Sequence, residues 1–257
     1  MDNTSRGEVF RRLHDRGVFV VANAWDEHSA RILTDLGFPA LATSSSALAQ
    51  TLGRKDGVNA LDRSEVLANV EAIVASTPLP VSADLESGYG TTPEEVAETF
   101  RRAIATGLAG GSIEDASGIA DTRIRDFGES VERVAAAAQA AKESPTPFTL
   151  TARAENYLYG ITDLDDTIAR LQAFEAAGAD VLYAPGLPAD AIRTVCSALS
   201  KPVNVLAAGP ITALSVDELG ELGVRRISVG GGLARLGADW VTAATDIARH
   251  GTFAGLR

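Results

Sequence analysis

The sequence predicts an α/β chain folded as one (β/α)8 TIM barrel over residues 1–257, on three observations. Short runs rich in Val, Ile, Leu and Ala alternate with longer stretches of helical period, the pattern of parallel βα units. The phrases DLGFPAL, ATGLAGGSI, AAGADVLY and ELGVRRISV repeat one device, a helix stopped by glycine and followed by a strand. A length of 257 residues matches a single barrel of this kind. A doubly wound open sheet fits less well: it uses fewer strands and opens with a phosphate-binding glycine turn, which the first strand here lacks.

The apolar runs predict strands at 18–22, 40–43, 79–83, 111–113, 148–152, 181–183, 203–207 and 226–229. Between them, helices are expected at 29–36, 64–76, 93–106, 129–143, 163–177, 188–199, 215–222 and 238–250. Ser64 with Glu65, Thr92 before Pro93-Glu94-Glu95, and Asp163 through Asp166 supply caps and acids at helix starts. Gly37, Gly107, Gly178 and Gly223 supply the stops.

Composition narrows the function. With 46% hydrophobic residues and a mean hydropathy of +0.07, the chain can bury a large core. A net charge of -11 argues against nucleic acid or an anionic membrane as partner, since both require a basic footprint. A lone cysteine, Cys196, excludes an internal disulfide framework and a cysteine-based zinc site, and reads as a small core residue. The opening MDNTSRGEVFRRLHDRG mixes acids and bases without an apolar core, so no targeting peptide or membrane span is expected and a cytoplasmic location is. His14, His28 and His250 show no metal or triad spacing and are expected to be solvated.

In a barrel of this kind chemistry sits at the C-terminal strand ends. Those ends offer Asn23, Trp25 and Asp26; Ser44, Ser45 and Ser46; Asp84 and Glu86; Glu114 and Asp115; Arg153 and Glu155; and Tyr183. Asp84 and Glu86, one residue apart where strand becomes loop in VSADLESGYG, point to one face and repel unless something positive stands between them. With Glu114 from the next strand, and Asp56 from LGRKDGVN, they make an all-oxygen donor set for Mg²⁺, or for Mn²⁺. Arg153 can hold a carboxylate with its planar fork, and the triple serine can offer hydroxyls and N–H groups to an anion. These parts suit a small anionic 2-oxo acid. Plainer readings stand beside them: Arg153 as a counter-ion for Glu155 or Glu114, the acid pair as solvated or capping, the serines as a polar turn, and Gly230 to Gly232 as a weak phosphate signal.

NAWDEHSARIL, LATSSSALAQTLGRKDG, ADLESGYG, GGSIED and TARAENY occur in this order and together resemble the isocitrate lyase/phosphoenolpyruvate mutase superfamily, from about residue 18 to the eighth strand. The resemblance implies a barrel that binds Mg²⁺ at its mouth and makes or breaks C–C or P–C bonds beside an oxo-acid unit. It implies Asp84 as direct metal ligand, with Glu86, Glu114 and Asp56 holding metal-bound waters. Arg153, Ser44 and Ser45 would bind the substrate with Asp84 and Trp25, and Arg153, Glu114 and Asp56 would form the catalytic set. A homodimer or homotetramer is implied, with helix 238–250 exchanged between subunits. The chain departs where lyases similar to it carry a Lys-Lys/Arg-Cys-Gly loop. Its segment IEDASGIADTRIRDFGES holds neither Lys nor Cys, and it lacks the mutase's Lys-Thr-Asn-Ser run. Ala42 stands where relatives carry a large aromatic, and Glu86 where many carry Asp. The expected activity is a Mg²⁺-dependent lyase acting on a 2-oxo or 2-hydroxy dicarboxylate, by decarboxylation or retro-aldol cleavage. The alternatives are a P–C bond enzyme of phosphonopyruvate hydrolase or mutase type, and a non-catalytic protein that binds metal and oxo acid.

Overall fold

The computed structural model describes residues 2–58 and 60–257. Eight parallel strands close a barrel: β1 (Phe19–Asn23), β2 (Ala40–Ala42), β3 (Val81–Asp84), β4 (Gly110–Glu114), β7 (Thr149–Arg153), β8 (Val181–Tyr183), β9 (Val203–Leu206) and β10 (Arg226–Ser228). Between β4 and β7 a separate antiparallel hairpin, β5 (Ala116–Ile119) with β6 (Thr122–Ile124), stands over the mouth. Around the barrel lie α1 (Asn3–Leu13), α2 (Glu27–Asp35), α3 (Ser45–Thr51), α4 (Arg63–Ser76), α5 (Pro93–Ala105), α6 (Phe127–Lys142), α7 (Leu164–Ala176), α8 (Ala189–Ala198), α9 (Val216–Glu221) and α10 (Trp240–His250).

Each predicted strand is present, displaced by no more than two residues. The stop glycines take the left-handed backbone that ends a helix, with φ of 87°, 90°, 110° and 102° at Gly37, Gly107, Gly178 and Gly223. Helix α4 starts one turn residue earlier than Ser64 suggests, because Asp62 is its cap and Glu65 reaches back to the Asp62 N–H at 3.0 Å.

The strands split two kinds of side chain between two faces. Outward residues such as Val20, Leu41, Val81, Ile113, Leu150, Leu182, Val205 and Ile227 join the main apolar core beneath the helices. Inward residues include Ser82, Ser112, Asn204, Ser228 and Arg226, all lining a cavity that runs down the barrel. A barrel interior is usually packed with branched apolar side chains. Here polar groups leave it partly open.

Helix α1, N-terminal to all the predicted elements, closes the far end. Its Phe10 packs on Phe19, Val21, Ala40 and Ala109. His14 meets the Phe10 and Phe19 rings edge-on at 5.0 Å and donates from Nδ1 to the Phe10 carbonyl at 2.8 Å. The expectation of a solvated His14 is therefore corrected: the ring is buried, and burial with the nearby Arg226 charge pulls it down to about 3. Gly7 is required for this docking, since a Cβ there would lie 2.1 Å from the Pro147 carbonyl oxygen.

Candidate active site

The strand ends converge on a cavity of about 340 Å³. Asn23 ties the barrel's seam: its Nδ2 donates to the Thr43 carbonyl at 2.7 Å, and its Oδ1 accepts from the Val229 and Gly230 N–H groups at 3.0 and 2.9 Å. After β2 the serines open α3 rather than a simple loop. Ser44 caps that helix, accepting from the Ala47 N–H, while Ser45 gives its N–H at 3.0 Å and its hydroxyl at 2.8 Å to Asp84 Oδ2.

Arg153 is the centre. Its Nη1 reaches Asp84 Oδ1 at 3.1 Å, its Nη2 reaches Glu114 Oε2 at 3.2 Å, its Nε donates to Glu155 Oε1 at 2.8 Å, and its plane lies 5.1 Å over the Tyr183 ring. Burial works to lower Arg153, but Glu155, Glu114 and Asp84 outweigh it and hold the guanidinium charged. One cation cannot neutralise this many acids. Burial, then the charge of Asp84, pushes Glu86 up to about 7, and burial raises Glu114 and Glu155 above the usual carboxylate range against the pull of Arg153.

The turn that carries Glu86 is strained. Glu86 and Tyr89 have φ of 45° and 50°, a region that costs a non-glycine residue of order 1–3 kcal/mol. Buried Arg133 of α6 holds the turn, donating to the Ser87 and Gly90 carbonyls at 2.7 Å and to Thr91 at 3.3 Å. Beyond β4, Asp115 accepts from the Glu155 N–H at 2.8 Å and from Arg170 at 3.2 Å. Burial pushes Asp115 up to about 7. Arg170 also donates to the Arg125 carbonyl, so the base of the β5–β6 hairpin is clasped.

Of the residues expected from sequence, Ser44, Ser45, Asp84, Glu86, Glu114 and Arg153 line the cavity, and Asp56 lies exposed at its rim. Trp25 is placed elsewhere: its ring packs against Trp240 at 5.0 Å, because Asn23 takes the inward position at the end of β1 and Trp25 falls at the start of α2. Cys196 packs beside the apolar core and is only partly buried. Sequence reading missed the clamp Arg133 and the interior Arg226 as well as Arg235 at the wall. Arg226 alternates with apolar Ile227 on a strand, which was the one available signal.

The acids offer hard oxygen donors and an unbalanced negative charge, both of which suit a divalent cation. As placed, no three His, Cys, Asp or Glu side chains among the described residues are gathered closely enough to ligate one ion together. A cation that keeps part of its water needs fewer direct protein ligands than such a cluster.

A (β/α)8 barrel whose charged groups gather at the C-terminal mouth has the build of an enzyme. The family model for phosphoenolpyruvate phosphomutase matches residues 10–248. The oxaloacetate decarboxylase of Bradyrhizobium diazoefficiens is 32% identical over 261 residues, covering 98% of this chain and 85% of that protein. A Burkholderia cenocepacia J2315 structure, provisionally described as a lyase/mutase, is 52% identical with a TM-score of 0.88, covering 98% of this chain and 91% of that one. The structure of 2,3-dimethylmalate lyase is 27% identical with a TM-score of 0.81, over 98% of this chain and 89% of that one. The chain belongs to the phosphoenolpyruvate phosphomutase family, within the isocitrate lyase/PEP mutase superfamily, and is an enzyme.

Proposed function

We propose that the protein is a Mg²⁺-dependent lyase that breaks the C–C bond beside the carbonyl of a small 2-oxo or 2-hydroxy dicarboxylate, with oxaloacetate decarboxylation as the first reaction to test and retro-aldol cleavage as the second. The carrying observation is Arg153, ringed by Asp84, Glu114 and Glu155 in a cavity that fits only a small ligand. The names of the similar Bradyrhizobium decarboxylase and of 2,3-dimethylmalate lyase point the same way. Asp84 would hold the metal directly, with Glu86, Glu114 and Asp56 on its waters; Mn²⁺ would serve in the same set.

When bound, the cation supplies Lewis-acid stabilisation of the oxygen on which negative charge develops. Arg153 orients the substrate carboxylate, exchanging its bonds to Asp84 and Glu114 for a fork around that group. Ser44 and Ser45 border the same end of the cavity. In oxaloacetate the C3–C4 bond breaks, CO₂ leaves, the electron pair forms the enolate of pyruvate, and a proton adds at C3. Water entering the cavity can supply that proton, and Glu114, whose carboxyl burial raises above the usual carboxylate range, lines the same cavity. No thiol or amine on the hairpin is needed, which matches a segment without Cys or Lys.

Purified protein with Mg²⁺ should release pyruvate from oxaloacetate, or a smaller oxo acid from a substituted malate; no turnover across that panel by folded, metal-bound protein would sink the lyase reading. Asp84→Ala should weaken Mn²⁺ binding at least tenfold by calorimetry, and unchanged affinity refutes it as direct ligand. P–C chemistry is the second reading, favoured by a 40% identical Burkholderia cenocepacia J2315 structure provisionally described as a phosphonomutase. Phosphate release from phosphonopyruvate would select it. The reading extends to a cytoplasmic homodimer or homotetramer that exchanges residues 238–250. Light scattering tests the oligomer: a mass near 26.7 kDa, that of one chain, would refute it.

A further inference from the structure

We infer that the barrel interior below Arg153 holds a second binding site, for a small monovalent anion, built on Arg226. Arg226 enters from the first position of β10 and crosses the interior to β7, where Nη2 donates to Thr151 Oγ1 at 3.0 Å. Nε donates to Asn204 Oδ1 at 2.9 Å, and Asn204 in turn donates to Ser228 Oγ at 2.9 Å. Its partners are thus neutral oxygens. Among the described residues no carboxylate faces it, and the ionisable side chains around it are Tyr183, Arg153 and the buried, neutral His14.

Nη1 is buried and has no hydrogen-bond partner. The side chain is 5% exposed, so water does not solvate the charge freely. A buried cation without a counter-charge is among the costlier arrangements a core can hold, and a free N–H adds to that cost. Other buried arginines are better supplied: Arg153 has three carboxylates, Arg170 has Asp115 and Asp166, and Arg133 has three carbonyls. His14, on the plugged side, has an unpaired Nε2, but a neutral imidazole brings no negative charge.

Arg226, Asn204 and Ser228 line the same cavity as Arg153, so an anion has a path from the mouth. The hydroxyls and amide would complete its shell. A halide and the far carboxylate of a ligand share this chemistry, and they are separable by experiment.

Crystals of the whole protein, soaked in bromide, should show an anomalous peak within hydrogen-bond distance of Arg226 Nη1. In solution, Tm should rise by about 3 °C between halide-free buffer and saturating bromide. Both signals should vanish in Arg226→Gln. Asn204→Asp supplies the missing charge in place with little change of shape, so it should keep the fold and lose bromide as well. A peak displaced by oxalate identifies a ligand carboxylate as the natural occupant, and one that persists identifies a resident ion. No peak at Nη1, or an undiminished bromide response in a folded Asn204→Asp variant, overturns the site.

Discussion

Arg153 and Arg226 enter the same barrel interior at successive levels, yet their surroundings are opposite. Each nitrogen of the Arg153 guanidinium faces a carboxylate, whereas Arg226 has two neutral acceptors and one nitrogen without a partner. Charge is therefore sorted along the axis, with surplus acid at the mouth and surplus base at the floor. An anion arriving at Arg153 meets a guanidinium that must release its own acids, and a second positive charge behind it. A divalent cation meets the acids from outside.

The largest effect expected from breaking this arrangement is at Arg153. Arg153→Lys keeps the charge but loses the fork that reaches three acids, and kcat/KM for pyruvate formation should fall about 10³-fold. A fall of less than tenfold would show that the fork does not orient substrate. Arg133→Met acts one step away, on the turn. With the Ser87 and Gly90 carbonyls released, Glu86 should no longer be held in its strained backbone, and Mn²⁺ affinity measured by calorimetry should drop about tenfold. An unchanged affinity in the folded variant would mean that the turn keeps its shape unaided.

The effect at the floor falls on stability alone. Native His14 resists protonation down to about pH 3, whereas in the unfolded chain it protonates near its ordinary 6.5. The unfolded state thus binds the extra proton, and stability falls as pH drops through that window, by about 2 kcal/mol at pH 5. His14→Leu should remove this slope. Urea melts at pH 7.5 and pH 5 check it: an equal loss in both proteins refutes the assignment.

The barrel was legible because its signals are local. Glycine stops, caps and apolar runs each act within a few residues of where they stand, and they located every strand of the barrel, though not the β5–β6 hairpin. The acids of the mouth were legible for the same reason, since strand ends place them. What escaped depends on distant partners. Arg133 lies in an Ala-rich helix and gains its role only because α6 packs beside the turn after β3. Arg226 opens the eighth predicted strand, but the alternation with Ile227 does not say which of the two points inward. Helix α1 carries few apolar residues, and Phe10 matters because a hollow barrel end awaits it. Trp25 was misdirected by adjacency: sharing a strand end with Asn23 does not mean sharing its face.

The clasp at the hairpin base has a consequence for how such enzymes diversify. Asp115 and Arg170 fasten both ends of 115–125 to the end of β7 and to helix α7, which do not depend on what lies between them. The span between the fasteners is therefore a cassette. Its length and chemistry can be exchanged without disturbing the floor or the acids, and a grafted segment carrying a thiol or an amine would inherit a ready-made anchorage over an unaltered pocket.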